Sequence, residues 1–231
     1  MDGPSQAMPS RLQAPLFPLP NVVLLPGAIL PLHIFELRYR RMTADALAGD
    51  SLIAMALLRS GWERDYYSRP AIEPVVCVGR IVAHERLRDG KYNLLLQGQW
   101  RARVVGESNV GELEERYRLA DLAPVDQSPV MEIDLARERQ QLKAIFDDAS
   151  RPINRSGPQF ARLLSGPTPT ATIADLIAFT CLGDVALKQA ILCDGDICHR
   201  VSQVVSALHQ LQSARPAAPV NGNDTDGASL N

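Results

Sequence analysis

The apolar pattern of this chain changes its period once, near residue 130, and this restricts the folds open to it. Residues 15–125 contain short apolar runs of strand length, separated by proline, glycine and polar turns. From Met131 onward, apolar residues recur at the spacing of three and four that is typical of helices. One such change predicts an α+β protein, with a small closed or half-closed β domain followed by an α-helical bundle.

The strongest local signal in the β-rich half is the Asp89-Gly90 pair. It separates two runs rich in strand-forming residues, 75–87 and 92–105. Asp-Gly between two such runs is typical of a hairpin turn. Gly98 lies inside the second run and predicts a bulge, at which the sheet bends.

The segment that precedes the hairpin contains both extended and helical patterns. Pro18 and Pro20 interrupt the apolar run 16–25, which predicts short edge or bulged strand pieces. Residues 28–35 form another extended run. Apolar and aromatic residues in 36–47 then follow helical spacing, which predicts one helix inside the β-rich half.

Composition predicts the boundaries of the folded region. Residues 1–14 and 213–231 are poor in large apolar side chains, so burial cannot offset the entropy of ordering them, and we expect both to be disordered. Between them we expect a β-rich subdomain over 15–126 and a helical subdomain over 127–212. Within the helical part, the predicted N-caps are Asp184, Asp196 and either Thr170 or Thr172.

Charge and cysteine content exclude several classes of protein. With 26 acidic and 24 basic side chains the net charge is −2, which disfavours a general nucleic-acid binder and a polybasic membrane-surface protein. The longest apolar stretch, 22–35, contains proline, glycine and histidine and is shorter than the roughly 20 residues that a membrane span needs. Four irregularly spaced cysteines and a polar N-terminus predict a cytoplasmic protein with reduced thiols and no membrane partner.

The common catalytic motifs are missing from the sequence. It has no phosphate-binding loop, dinucleotide-binding glycine fingerprint, HExxH or GxSxG. A remote zinc alternative would use Cys181, Cys193, Cys198 and His199. Cys193 and Cys198 are predicted to lie on either side of a turn between helices, and the other two ligands would have to come from unpaired positions. The favoured interpretation is that these thiols pack as small apolar groups. His84 beside Glu85 is a candidate base, although an ordinary strand-end pair is favoured. We therefore predict no enzyme, metal or cofactor.

Two clusters are candidate binding surfaces. Trp62, Tyr66 and Tyr67 lie in one polar loop, and aromatic anchors within a charged rim are typical of recognition surfaces. The alternative is that these rings cover the open end of the β domain. The second cluster begins the internal helix and comprises Phe35, Glu36, Arg38 and Tyr39. Arginines there can bind an anionic ligand, or one can pair with Glu36 and fasten helix to sheet.

The segment 16–42, LFPLPNVVLLPGAILPLHIFELRYRRM, resembles the N-terminal substrate-binding domain of Lon-type ATP-dependent proteases, and most of all its stand-alone bacterial form. The signature Ile34-Phe35-Glu36-x-Arg38-Tyr39 carries this resemblance. It continues through the predicted hairpin and resumes in the helical half at 174–178 and 187–192. In total it covers about residues 15–212.

The resemblance implies a PUA-like β pseudo-barrel followed by an α-helical bundle. It also implies a role in engaging unfolded or degron-bearing substrates. The sequence has neither the phosphate loop nor the Ser–Lys site of the full-length proteases. The implied function is a non-catalytic binding module for unfolded polypeptides or a protein partner. Such a module can pair an exposed strand edge with an extended segment, or take an apolar side chain into a groove between barrel and bundle.

Two other functions remain open from the sequence. PUA-like folds often bind RNA, so an RNA-associated module is the alternative. It predicts a groove lined by Arg80, Arg86, Arg88, Arg101 and Arg103. The near-neutral net charge counts against it. An unrecognised hydrolase is the remote alternative. The sequence does not predict the oligomeric state.

Overall fold

The computed structural model describes residues 9–65, 69–111, 116–148 and 156–214. In these residues, the strands are β1 (Leu12–Leu19), β2 (Ile29–Ile34), β3 (Leu52–Leu57), β4 (Val75–Arg86), β5 (Tyr92–Val110) and β6 (Tyr117–Pro124). The helices are α1 (Leu37–Ala48), α2 (Ala136–Asp147), α3 (Gly157–Ser165), α4 (Thr170–Cys181), α5 (Val185–Cys193) and α6 (Ile197–Ser213). The predicted α+β class is confirmed, with α1 inside the β-rich half and the other helices after β6.

The sheet closes on itself through its longest strand. Its order is β2-β5-β4-β3-β1-β6, and β5 also pairs with β6, so β1, β3, β4, β5 and β6 form a ring. The 19 residues of β5 are long enough to pair with β2 near one end and with β6 near the other. The pair β1–β3 is parallel and the other ladders are antiparallel. This ring is the pseudo-barrel that we expected.

Successive residues of a strand point to opposite faces, and here both faces are covered. Strand β3 is buried over Leu52–Ala56 because one set of its side chains lines the barrel interior and the other faces the helical side. The narrow interior combines five alanines with five larger apolar side chains: Ala14, Ala54, Ala56, Ala102 and Ala120 with Leu16, Leu52, Val76, Val78 and Leu122. The larger apolar core lies on the other face, between barrel and helices.

Strand β1 is not the edge strand that its prolines predict. It lies between β3 and β6 in the barrel. Pro15 falls where only the β6 ladder is formed, and Pro18 falls where only the β3 ladder is formed. A proline cannot donate a main-chain hydrogen bond, but each of these has a strand partner on one side only. The edge prediction was wrong because β1 has a neighbouring strand on each side. The prolines are tolerated because the ladders with β3 and β6 overlap only at Leu16.

The predicted hairpin and bulge are both present. Gly90 takes a φ of +80° in the turn between β4 and β5, a conformation that glycine adopts without strain. The register then shifts between Val78 and Gly79, whose partners are Trp100 and Gly98. The residue between these partners is extra, so a bulge lies beside Gly98. The carbonyl of Leu25 approaches Gly98 so closely that a Cβ there would overlap it.

Two of the six described helices begin with a side-chain cap from a residue next to them in sequence. The carboxylates of Asp184 and Asp196 accept hydrogen bonds from the first turns of α5 and α6, as predicted. Helix α4 instead has Pro169 at its N-cap position, and Thr170 is its first residue. Glu132 accepts hydrogen bonds from both the main-chain nitrogen and the hydroxyl of Thr170, at 2.9 and 2.7 Å. The predicted threonine caps were therefore wrong. The carboxylate of Glu132, which is 38 residues away in sequence, accepts the hydrogen bonds at the start of α4 instead.

The outer boundaries differ in part from those that composition predicts. Strand β1 begins at Leu12, and Ala14 is fully buried, so pairing with β6 orders residues 12–14. The remaining predictions for the termini fall largely on 1–8 and 215–231, outside the described residues. The predicted division at 126/127 falls between β6 and a 3₁₀ turn at Glu132–Leu135 and stays a prediction. None of the helices in the described parts of the chain is both long and apolar enough to cross a membrane.

Candidate functional site

Strands β4 and β5 continue beyond the barrel and form a small three-stranded sheet with β2, which we call the wing. It consists of β2, residues 81–86 of β4 and residues 92–97 of β5. The ladder between β3 and β4 ends at the pair Leu52–Arg80, so β4 has only β5 as a neighbour from there on. Among the described residues, β2 pairs only with β5. The wing therefore has two free edges, one along β2 and one along β4.

The two faces of the wing differ in burial. Its inner face is part of the large core and includes Ile34, Leu94 and Leu96. Its outer face carries exposed apolar side chains, among them Ile29 and Leu95. Phe35 follows directly after β2 and is 60% exposed. A contiguous group of exposed apolar side chains, rimmed by polar ones, is the usual mark of an interaction surface.

A groove of about 520 Å³ lies on this outer face. Strand register arranges its floor in two rows that cross the three strands. One row is apolar and comprises Pro31, Leu95 and Ala83. The other is polar and comprises His33, Asn93 and Glu85.

The polar row is joined by hydrogen bonds. His33 Nδ1 lies 2.7 Å from Asn93 Oδ1, and the Asn93 amide nitrogen donates to Glu85 Oε2 at 3.4 Å. The ring of His33 also stacks near that of Phe35, with 6.2 Å between ring centroids. The groove thus combines an apolar floor with a short line of donors and acceptors. Such a floor can accept apolar side chains, while the polar row can bond to main-chain amides.

The wing is fastened to the rest of the molecule at its turn. Arg40 of α1 donates through Nε to the carbonyl oxygen of Gly90 at 2.8 Å. The guanidinium of Arg86 lies 5.9 Å from the ring centroid of Tyr92, across the start of the hairpin. The bond from Arg40 joins the turn of the wing to α1, whereas the contact of Arg86 with Tyr92 lies within the wing and joins β4 to β5.

The four predicted residues at the start of α1 divide into three roles. Phe35 is exposed and continues the outer face of the wing. Glu36 pairs with Arg38 at 3.0 Å, and the Arg38 guanidinium lies 4.5 Å from the ring centroid of Tyr39. Tyr39 is only 4% exposed, and its ring packs on Phe17. An arginine thus pairs with Glu36, and Tyr39 lies in the core beneath the surface.

The aromatic loop lies away from the wing. Trp62 falls in a 3₁₀ turn, Trp62–Asp65, on the connection that leads to Val75, the end of β4 opposite the wing. Tyr66 and Tyr67 lie outside the described residues. The later part of the loop is tied to the barrel, because Arg118 donates to the carbonyl oxygen of Pro70 at 2.8 Å. The aromatic cluster remains a predicted second surface.

The arginines proposed for an RNA groove do not line one surface. Arg101 is buried and pairs with Asp175 of α4 at 2.6 Å. Arg80 is exposed and donates to the carbonyl oxygen of Asp50. Arg101 faces the helical bundle because the barrel packs against α4 at that point, and a buried side chain cannot reach a nucleic-acid backbone.

The candidate hydrolase groups are also separated. Glu85 bonds to Asn93, whereas His84, its neighbour along the strand, points to the other side. The Gln189 amide donates to Cys193 Sγ, and burial raises the pKa of the Cys193 thiol. His199 Nδ1 lies 2.7 Å from an Asp194 carboxylate oxygen. Within the described parts of the chain, no group of three or more His, Cys, Asp or Glu side chains is placed to hold a metal.

Comparison with known proteins agrees with this architecture. The family model described as ATP-dependent protease La (LON) substrate-binding domain matches residues 13–210. A solved N-terminal domain of a Mycobacterium avium complex Lon protease aligns with a TM-score of 0.66 at 15% identity, covering 86% of this chain and 98% of that one. A Lon N-terminal domain protein from Xanthomonas campestris aligns with a TM-score of 0.61 at 22% identity, covering 84% and 98%. These structural matches establish the fold.

The sequence match extends over nearly the whole chain. The Lon protease of Desulfosudis oleivorans is 23% identical over 216 residues, which are 91% of this chain and 25% of that protein. The chain spans only 16–26% of the length of the first curated relatives that it matches. It has the α+β pseudo-barrel and bundle of a Lon N-terminal domain. The chain belongs to the LON substrate-binding domain family.

The sequence reasoning missed most of the groove. Pro31, Asn93 and Leu95 were not singled out, and only Phe35 among the predicted binding residues adjoins the outer face, although Glu85, considered as the partner of a catalytic base, lies in the polar row. The sequence carries no signal for the groove in β2: residues 29–34 read ILPLHI, with one polar side chain, and they alternate between exposed and more buried positions only in the folded strand. The partners of β2 lie 58 to 68 residues further along the chain, so no local pattern identifies the groove.

Proposed function

We propose that this protein is a non-catalytic module that recognises unfolded polypeptides through the outer face of the wing. The observation that carries the proposal is the apolar groove of about 520 Å³, which lies on a free part of the sheet in a chain of the LON substrate-binding family. Unfolded chains expose apolar side chains that a native protein buries. A shallow apolar groove can bind many such segments without demanding one sequence.

The composition of the surface supports loose specificity. Ile29, Phe35 and Leu95 supply exposed apolar area on the outer face, and charged residues on that face are few. Burying one such side chain contributes roughly 1.5–3 kcal/mol, so two or three contacts supply about 3–9 kcal/mol before the cost of association is subtracted. An affinity that is micromolar at the tightest, as in a transient recognition module, follows from this. The Glu36–Arg38 pair and Tyr39 then have a supporting function, since they hold Phe35 at the surface.

The non-catalytic assignment applies to this chain. The curated relatives are named as Lon proteases, but the chain matches a small part of their length and lacks a phosphate loop and a Ser–Lys motif. We further propose a cytoplasmic location and an unfolded polypeptide as the partner. The aromatic loop with Trp62, Tyr66 and Tyr67 is a second candidate surface within the same function.

A binding titration tests the proposal. The probe is a reduced and alkylated model protein carrying a fluorophore, and anisotropy reports its binding to the full chain. We expect a micromolar Kd for the wild type and a Kd at least tenfold higher for the double variant Phe35→Ser/Leu95→Ser, because two apolar contacts are lost. Val105→Ser is the matched control, since Val105 is also 60% exposed but lies on the barrel.

The possible results separate the surface from the function. If the wild type does not bind the unfolded probe at 100 μM, the proposed function is wrong. If the double variant keeps its fold by circular dichroism and binds as tightly as the wild type, the wing is not the binding surface. In that case the corresponding test of Trp62→Ser examines the aromatic loop.

A further inference from the structure

The free edge of β2 has a defined set of main-chain groups. The carbonyl of Ala28 accepts a hydrogen bond from the Gly98 nitrogen at 2.9 Å, so residues 28, 30, 32 and 34 direct their main-chain groups toward β5. Ile29, Pro31 and His33 therefore direct theirs away from β5. In the described structure no other strand pairs with them. The edge presents three carbonyl acceptors and, because Pro31 has no N–H, two donors.

The two free edges of the wing are not equally protected against another strand. Residues 82–86 of β4 include Glu85 and Arg86, and charges on an edge strand disfavour pairing with a further chain. Strand β2 (ILPLHI) contains no Lys, Arg, Asp or Glu, and its only protecting residue is Pro31. The β2 edge therefore remains the one that favours an added strand.

The groove lies beside this edge. Pro31 and His33 belong both to the edge and to the floor of the groove, since their side chains face outward while their main-chain groups face away from β5. A strand added to β2 would place one further side chain beside Pro31, at the end of the apolar row, and one beside His33, at the end of the polar row. Its alternate side chains would lie next to Pro31 and Ile29, so apolar residues at those positions extend the existing patch.

We propose, on the basis of the function proposed above, that the wing binds its polypeptide by strand addition to β2. The occupant is an extended segment of a non-native chain, about six residues long to match β2, with free main-chain amides and apolar side chains at every second position. Main-chain bonds supply affinity that does not depend on sequence, and the outer face selects for apolar alternation. Proline-rich and highly charged segments are excluded.

A second copy of this chain is a less suitable occupant. Two β2 edges would bring two Pro31 residues into one ladder, and each would leave an acceptor of the other chain without a donor. A non-native segment without proline loses at most one such bond. Measurement of the oligomeric state accompanies each experiment, so that pairing of two copies is detected.

Alternate N-methylation of a peptide tests the ladder directly. The probe is a peptide of about eight residues with alternating apolar and polar side chains, which sets the face it presents. One version is N-methylated at its apolar residues and the other at its polar residues. We expect one version to lose at least tenfold in affinity for the full-length protein and the other to stay within threefold, because only every second amide faces β2.

Each result decides a different question. Equal affinities of the two methylated versions, high or low, overturn strand addition. Binding of the unfolded protein probe without any binding of the unmodified peptide also overturns it, while the proposed function stands. Failure of both the peptide and the unfolded protein to bind overturns the proposed function itself.

A substitution in the β2 edge should raise the affinity for the peptide if the peptide adds as a strand. Binding through side chains alone predicts no such increase. Pro31→Val replaces one apolar side chain with another of similar size and adds the missing donor, so the Kd of the unmodified peptide should fall by about two- to tenfold. Unchanged or weaker binding by a folded Pro31→Val protein contradicts the proposal. If the wild type, and not only this variant, dimerises and loses peptide binding on dimerisation, a second copy is the true occupant. The methylation series on the wild type decides the case if the variant does not fold.

Discussion

Arg101 of β5 and Asp175 of α4 form an ion pair of 2.6 Å across the interface between barrel and bundle, with side chains only 3% and 4% exposed. Arg200 of α6 contacts the same carboxylate oxygen at 3.3 Å. Two guanidinium groups thus share one carboxylate in a nearly dry interface. Burial lowers the pKa of Arg200, although the charge of Asp175 opposes that shift. This cluster joins the two halves of the fold.

Removing the shared carboxylate should destabilise the protein strongly. Asp175→Ala leaves two buried guanidinium groups without their counter-charge, and breaking a buried pair in this way costs about 3–5 kcal/mol. Urea unfolding followed by circular dichroism measures the change. Arg59→Ala, which removes an exposed pair with Glu73 at 3.4 Å, is the control and should change stability by less than about 1 kcal/mol. Similar losses in the two variants would show that the cluster does not hold the interface.

Gly98 should not tolerate a side chain. Gly98→Ala places a Cβ against the carbonyl of Leu25, a main-chain group that cannot move without disturbing the bulge. We expect a loss of about 1–3 kcal/mol in the free energy of unfolding. Gly183→Ala is the matched control, because a Cβ there meets no atom within 4 Å. A Gly98→Ala protein as stable as the control would show that the main chain at Leu25 can move away from β5 at little cost in free energy.

The ion pair around Glu107 should make stability depend on acid pH. Arg118 binds its carboxylate through two nitrogens, at 2.7 and 2.9 Å, and Arg69 approaches to 3.2 Å. Burial opposes ionisation, but the hydrogen bonds and charge of Arg118 prevail and lower the pKa of Glu107 below its usual 4.5. The stabilisation is therefore complete above about pH 4.5 and is lost as the pH falls through the lower, folded-state pKa.

Comparison with Glu107→Gln isolates this contribution. The difference in unfolding free energy between wild type and variant should be largest at pH 6 and should shrink toward pH 3. Denaturant titrations at four or five pH values measure it, at constant ionic strength. A difference that does not change with pH would contradict the role of the ionised carboxylate.

The four cysteines should differ in reactivity according to burial. Burial raises the pKa of Cys77 to about 12, outweighing the charge of Arg101, so its thiol stays protonated and inaccessible at pH 8. Cys198 is exposed at the start of α6. Alkylation with iodoacetamide at pH 8, followed by peptide mass mapping, should modify Cys198 first and Cys77 only after unfolding. Native-state modification of Cys77 at the rate of Cys198 would contradict the described core.

Features that depend on neighbouring residues could be predicted from the sequence. The turn at Asp89-Gly90, the bulge beside Gly98 and the caps Asp184 and Asp196 were all confirmed, because each rests on backbone geometry or on a hydrogen bond a few residues away. The same reasoning was wrong for β1 and for the threonine caps of α4. In both cases the deciding partners lie far away in the chain.

The candidate site shows the same division. The pairing of Glu36 with Arg38 follows from residues that are neighbours in sequence. The groove does not, because it needs His33 beside Asn93 and Asn93 beside Glu85, and only the antiparallel register of three strands brings them together. No local pattern contains that register.

By itself the sequence determined which segments form strands and helices, where the hairpin turns, and which family the chain resembles. Only the tertiary structure decided which strand edge stays free, that Arg101 points into the interface with the bundle, and that the wing carries a groove. The physical reason is that periodicity and turn chemistry act over a few residues. Strand pairing and burial are instead collective properties of segments separated by tens of residues.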